Sequence, residues 1–154
     1  MGRRTMVDFR VVGVGSPHGD DQAGWRLVEL LEGEELPDTD VVAVRGAVSI
    51  VDCLQDCRTA ILIDACRSGA SPGTITRMVW PDPRVSLQHD RTTHGFGLAG
   101  ALELARRLNR LPEHVVVYGV EIASCEPGAE LSPAVEGVLP DLARQVLGEV
   151  CPAT

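Results

Sequence analysis

Short runs of apolar residues, many of them β-branched, alternate along the chain with longer segments in which apolar residues recur every three or four positions. The runs predict strands at 9–14, 41–44, 60–63, 74–80 and 115–122. The longer segments predict helices at 22–32, 97–111 and from 133 onward, with a shorter helix around 50–54. Strands that alternate with helices form parallel sheets covered on both faces. We therefore expect an α/β fold, a single three-layer α/β/α sandwich around a twisted, largely parallel sheet.

Local signals refine the boundaries of these elements. Ser132 is a good N-cap for the last helix, and Pro133 suits its first helical position. Pro140 lies inside that helix and is expected to bend or split it, because proline has no backbone N–H to donate. The segment 15–21 is too rich in glycine and turn-forming residues for regular structure, and the predicted strand at 60–63 ends at Asp64.

The length and composition fit one soluble domain spanning residues 1–154. Apolar residues make up 44% of the 154 residues and charged residues 23%, which is typical of globular proteins. No apolar run approaches the roughly 20 residues of a membrane-spanning helix, so we expect no membrane partner. The net charge of −8 would repel a phosphate backbone, so nucleic acid is excluded as an expected partner.

The basic residues also limit the chemistry, since all fourteen are arginine. A chain without lysine forms no Schiff base with a carbonyl or pyridoxal group and has no phosphate-binding P-loop lysine. The five cysteines form no C-x-x-C pair, and their odd number suits reduced thiols. Charged residues interrupt any apolar stretch after the two arginines near the start, so we expect a cytoplasmic protein.

Candidate chemistry lies where the predicted strands end. The first strand leads to Asp20 and Asp21, the third ends at Asp64, and the loop before the helix at 97 supplies His94. Because ligand sites in open α/β sheets collect beyond the carboxyl ends of the strands, these side chains are expected to converge. Two carboxylates and one imidazole would form a three-ligand metal site with open positions, suited to nickel, zinc or manganese.

Each of these residues also has a structural interpretation. Asp20 or Asp21 would cap the helix that follows, and His94 would be an ordinary loop residue, with His89 as a competing ligand. Asp64 is harder to explain in that way. It closes an apolar run at a sheet end, where an ionised carboxylate is costly unless a cation or hydrogen-bond donors are present.

Three other motifs give weaker predictions. Gly13 and Gly15 follow a strand as in dinucleotide-binding domains, but the third glycine of that motif would be His18, and two aspartates would repel a pyrophosphate. Residues 69–73 match the G-x-S-x-G pattern of serine hydrolases, yet Pro72 has no N–H for the oxyanion hole. A Cys66–His94 thiol pair lacks any signal for a lowered cysteine pKa.

The sequence resembles the nickel-iron hydrogenase maturation endopeptidases, which remove a C-terminal extension from the hydrogenase large subunit after nickel insertion. Four motifs in the same order carry the resemblance. They are Gly13-Val-Gly-Ser-Pro-His-Gly-Asp-Asp-Gln-Ala-Gly24, Ile61-Leu-Ile-Asp-Ala65 with Pro72-Gly73, Thr93-His94 with Gly97-Leu98, and Gly119 to Glu121 with Leu131-Ser-Pro-Ala-Val135.

The resemblance implies a function as well as a fold. The three metal-contacting positions of the family correspond to Asp21, Asp64 and His94, which would also be the catalytic residues. The metal would be nickel already bound to the partner, the hydrogenase large-subunit precursor, so the protein itself would carry no resident metal and no organic cofactor. Asp20 or Asp21 would be the base that activates water.

Two alternatives remain open beside this interpretation, and the sequence departs from the family pattern at two points. The chain would otherwise be a checkpoint or chaperone that binds the precursor without cutting it, or a small-molecule-binding α/β domain that uses Gly13 and Gly15. The family usually has Asn after Gly-x-Gly and one more residue before Gly-Asp-Asp, where this chain has Ser16 and the shorter Pro17-His18. We therefore expect His18 near the metal, or a subgroup with another target.

Overall fold

The computed structural model describes residues 5–87 and 97–152. Within these ranges the chain alternates strands and helices over most of its length. The strands are β1 (Val7–Val14), β2 (Thr39–Val44), β3 (Cys57–Cys66), β4 (Ile75–Val79) and β5 (His114–Glu121). The helices are α1 (Ala23–Glu32), α2 (Ala47–Cys53), α3 (Pro83–Leu87), α4 (Gly97–Arg107) and α5 (Pro133–Val150), and a short 3-10 helix, Gly19–Gln22, precedes α1.

The strands form one sheet in the order β2-β1-β3-β5-β4. Strands β2, β1, β3 and β5 run parallel, and β4 pairs with β5 in the antiparallel sense. The chain leaves β1 toward β2 on one side, and β3 lies on the other side. The carboxyl ends of β1 and β3 therefore flank the topological switch point, which is where open α/β sheets bind ligands.

Alternate residues of the central strands pack against different helices. Val12 and Leu62 belong to the apolar cluster under α2 and α4, whereas Val11 and Ile61 belong to the cluster under α1 and α5. This alternation follows from the two-residue period of a strand, which turns successive side chains to opposite faces. The predicted three-layer α/β/α sandwich with a largely parallel sheet is confirmed.

Several details of the sequence prediction were wrong. Residues 15–21 were expected to lack regular structure, but Gly19–Gln22 forms the 3-10 helix, because its Asp21 N–H bonds back to the carbonyl of His18. Strand β3 continues past Asp64 to Cys66, because β5 offers partners for these residues and Asp64 itself pairs with Gly119. The segment after β4, predicted as a loop, contains α3. Pro140 was expected to bend or split the last helix, and it does not split it, since α5 is continuous through it. Pro140 is exposed on the water side of α5, where solvent can satisfy the carbonyl that the proline leaves without a donor.

The N-cap prediction for α5 is confirmed by a hydrogen bond of 3.4 Å from the backbone N–H of Val135 to Ser132 Oγ. In the described part of the chain, no helix has both the length and the apolar character needed to span a bilayer.

Candidate functional site

A cavity of about 50 Å³ opens at the carboxyl ends of β1, β2 and β3. Its wall includes Gly15 after β1, Arg45 after β2 and Asp64 near the end of β3, together with Asp21 from the 3-10 helix and Leu98 from α4. The structure thus brings two of the three predicted ligands, Asp21 and Asp64, to one cavity. The volume is enough for a metal ion with a few water molecules.

Asp64 is the buried carboxylate of the pair, with only 8% of the residue exposed. Burial, and after it the negative charge of Asp21, raises the pKa of Asp64 well above its usual value, although a hydrogen bond from the Ala65 N–H opposes this. Asp21 and Asp64 line the same small cavity, so their carboxylates lie near each other. A divalent cation bound in the cavity would favour the ionised form of Asp64, which burial and the nearby charge of Asp21 disfavour.

Asp20 has a different environment although it precedes Asp21 directly. Its carboxylate is fully buried and accepts hydrogen bonds from three backbone N–H groups, those of Ala123 (2.8 Å), Ser124 (3.2 Å) and Ser132 (2.7 Å), and from Ser132 Oγ (2.8 Å). Burial alone would raise the pKa of Asp20, but these hydrogen bonds outweigh it and the pKa is lowered. Asp20 therefore anchors the segment that leads into α5 and is not part of the cavity wall.

Glycines place Asp21 by letting α1 approach the sheet. A Cβ atom on Gly24 would lie 2.6 Å from the carbonyl oxygen of Val14 and 2.9 Å from that of Ile63, and one on Gly13 would collide with the carbonyl of Gly24. Gly15 likewise faces the backbone of Asp21. These glycines serve close packing between β1 and α1, which does not support the dinucleotide-binding interpretation of Gly13 and Gly15.

The third predicted ligand, His94, lies outside the described residues, as does its competitor His89. Within residues 5–87 and 97–152 no group of three histidine, cysteine or acidic side chains is arranged to hold a metal ion. The participation of His94 therefore stays a prediction. His18 is half-buried and is not among the residues of the cavity wall, and its Nδ1 atom has no hydrogen-bond partner in the described part of the chain.

The thiol next to the site lacks the lowered pKa of a nucleophilic cysteine. Cys66 is buried, and its Sγ donates a hydrogen bond of 3.4 Å to Glu121. Burial, and then this contact, raises the pKa of Cys66 to about 12, so the thiol stays protonated at neutral pH. The raised pKa of Cys66 argues against a catalytic thiol at this position, as the sequence did; the other member of the pair, His94, lies outside the described residues. Residues 69–73 lead into strand β4, where a serine hydrolase would need a helix.

Sequence reasoning missed Arg45. It directly follows β2, so the argument from strand ends that selected Asp21 and Asp64 also applies to it. The sequence was searched for metal ligands, however, and an arginine is not one. Its presence adds one cation to a cavity wall that is otherwise acidic or apolar in the described part of the chain.

Fold and site together define an α/β protein with paired carboxylates at the switch point of its sheet, an arrangement suited to a divalent cation. Comparisons with known proteins give the family. The model of the hydrogenase maturation protease family matches residues 26–149. The "Hydrogenase 2 maturation protease" of Escherichia coli K12 is 31% identical over 144 residues, covering 89% of this chain and 87% of that protein.

Solved structures agree with the sequence comparisons. The hydrogenase maturating endopeptidase HybD from E. coli superimposes with a TM-score of 0.79 at 28% identity, over 92% of this chain and 91% of that one. A hydrogenase 2 maturation peptidase from a Thaumarchaeota archaeon has a TM-score of 0.73 at 30% identity, over 95% and 99% of the two chains. The chain belongs to the hydrogenase maturation protease family and is a peptide hydrolase, which confirms the resemblance found in the sequence.

Proposed function

We propose that the protein removes the C-terminal extension of a [NiFe] hydrogenase large-subunit precursor once nickel has been inserted. The observation that carries this proposal is the convergence of Asp21 and Asp64 on one cavity of a chain that belongs to the maturation protease family. The precursor is accordingly the proposed partner. The five cysteines, all within the described ranges, form no disulfide with one another, which supports action in the reducing cytoplasm.

The nickel ion is part of the substrate in this proposal. Asp21 and Asp64 contribute carboxylate oxygens and His94 an imidazole nitrogen, leaving positions open for the groups by which the precursor already holds its ion. A precursor without nickel would bring no cation to offset the two carboxylates, so the protease discriminates loaded from empty precursor by an electrostatic difference. A cavity of about 50 Å³ admits an ion and is small for an organic cofactor.

Hydrolysis needs a group that takes a proton from the attacking water. We assign this to Asp21, because both oxygens of Asp20 are already engaged by the backbone and by Ser132. The water oxygen attacks the scissile carbonyl carbon while Asp21 takes the proton. The carbon–nitrogen bond then breaks, and the proton passes to the leaving amine.

The test is to incubate the protein with nickel-loaded and nickel-free precursor and to weigh the products by mass spectrometry. We expect shortening of the loaded precursor only, and none with Asp21→Asn or Asp64→Asn. Asp141→Asn, which changes an exposed carboxylate on α5, is the matched control and should cut as the unmodified protein does. A loaded precursor that is bound but never shortened would refute the protease assignment and favour a checkpoint that only binds.

A further inference from the structure

Arg45 lines the same cavity as Asp21 and Asp64, and its side chain is exposed at the rim. Within residues 5–87 and 97–152 its guanidinium forms no ion pair and no hydrogen bond. Most other arginines in these ranges have a carboxylate partner, as Arg10 has Asp40. In a chain with a net charge of −8, a cation without an acidic partner is available to a ligand.

The backbone just before Arg45 is fixed to the site. The carbonyl oxygen of Val44 accepts hydrogen bonds from the Gly15 N–H at 3.1 Å and from Trp25 Nε1 at 3.0 Å. These contacts tie the end of β2 to the segment that carries Asp21 and to α1. Gly46 then turns the chain with a φ of 86°, a conformation that other residues rarely adopt. The backbone of Arg45 is therefore held at a defined place next to the segment that carries Asp21.

An exposed apolar side chain lies on the same turn. Val48, in the first turn of α2, is 76% exposed, the largest value among the exposed large hydrophobic residues of the described chain. A cation and an apolar side chain next to a catalytic cavity provide a charged and a hydrophobic contact for a bound protein segment.

We propose that Arg45 is a specificity-determining residue that binds a carboxylate of the precursor near the cleavage point, with Val48 in apolar contact beside it. This inference rests on the proposed function. Asp21 and Asp64 repel an acidic segment that approaches the cavity, and Arg45 offsets that repulsion at one position. Its planar guanidinium accommodates a carboxylate in a bidentate manner, which gives the interaction geometric selectivity as well as charge.

The experiment compares Arg45→Ala and Arg45→Glu with Arg110→Ala and Arg110→Glu. Arg110 is also exposed and without a carboxylate partner in the described ranges, but it lies beside a different cavity, near Met6 and Leu54. The dissociation constant of nickel-loaded precursor is measured directly, together with kcat and KM for its cleavage. We expect Arg45→Ala to weaken binding roughly fivefold and Arg45→Glu by about tenfold or more, with kcat little changed.

The Arg110 variants should bind like the unmodified protein, and added salt should reduce the difference between Arg45→Ala and unmodified protein. Acidic residues near the cleavage point of the precursor are then changed to arginine one at a time, and one of these changes should restore binding to Arg45→Glu. Equal affinities for Arg45→Glu and unmodified protein, or no restoring change, would overturn the inference. A precursor that binds but is not cut refutes the proposed function alone, because the dissociation constants still test Arg45.

Discussion

The neighbouring carboxylates of Asp20 and Asp21 have different roles, one structural and one at the cavity. Asp20 is fully buried and satisfied by donors from residues 123, 124 and 132, whereas Asp21 is half-buried and faces the cavity with Asp64. The 3-10 helix explains the difference, because consecutive residues in such a turn point in different directions. The motif Gly-Asp-Asp therefore combines an anchor for a distant segment with a carboxylate on the cavity wall.

The first prediction separates these two roles. Asp20→Ala leaves buried N–H groups without acceptors, so we expect the free energy of unfolding to fall by about 2–5 kcal/mol. Asp21→Ala should change it by less than about 1 kcal/mol but abolish binding of nickel or cadmium. Chemical denaturation and metal titration of both variants check this. Loss of metal binding in a fully stable Asp20→Ala protein would contradict the division of roles.

The second prediction concerns the electrostatic coupling within the pair. Because the charge of Asp21 contributes to the raised pKa of Asp64, Asp21→Asn should lower the pKa of Asp64 toward its ordinary value in metal-free protein. NMR titration of the Asp64 carboxyl carbon measures the shift, and Asp141→Asn should leave it unchanged. An unmoved Asp64 pKa in Asp21→Asn would mean that the two carboxylates do not share a site in solution.

Asp21 and Asp64 were predictable from the sequence because each follows or closes an apolar strand, and strand ends meet at one edge of a parallel sheet. The anchoring role of Asp20 was not predictable from the sequence. The groups that donate hydrogen bonds to its carboxylate lie 103 to 112 residues away, and no local pattern indicates such contacts. Arg45 was not predicted as a residue of the site, because an exposed arginine after a strand is common. Its position matters only once the structure shows that it lines the same cavity as the two carboxylates.

At the scale of elements, the approach of α1 to β1 places the acidic turn. The helix begins at Ala23 and crosses the sheet at a position where Gly13 and Gly24 leave no space for side chains. The sequence shows these glycines but not which backbone each one faces. Hydrophobic periodicity predicted most of the strands and helices, whereas the extension of β3 depended on pairing with β5, a long-range contact that periodicity does not report.

The third prediction contrasts two glycines. Gly24→Ala would push the start of α1 away from Val14 and Ile63, and we expect it to lower the free energy of unfolding by about 1–3 kcal/mol and to weaken metal binding. Gly137→Ala, in α5, meets no atom within 4 Å and should instead stabilise the protein by about 0.5–1 kcal/mol. Thermal and denaturant unfolding measure the stability of the two variants. If Gly24→Ala and Gly137→Ala had the same effect on the free energy of unfolding, the close approach of α1 to β1 would be contradicted.

At the scale of the whole molecule, the site depends on the order of the strands. The order β2-β1-β3-β5-β4 brings the ends of β1 and β3 next to each other, although Asp21 and Asp64 are far apart in the chain. Two helical layers cover the faces of the sheet, so its carboxyl edge is where the carboxylates meet solvent through the cavity.

The fourth prediction gives the most direct test of the account, whose central claim is that Asp21 and Asp64 act as one cation site together with His94. Cadmium or nickel is titrated into the protein alone while backbone amide signals are followed by NMR. We expect the changes to concentrate in the segments around residues 13–21 and 64–66 and next to His94, and to vanish in Asp64→Asn. Unchanged signals in all three segments, or the same changes in Asp64→Asn, would contradict the account.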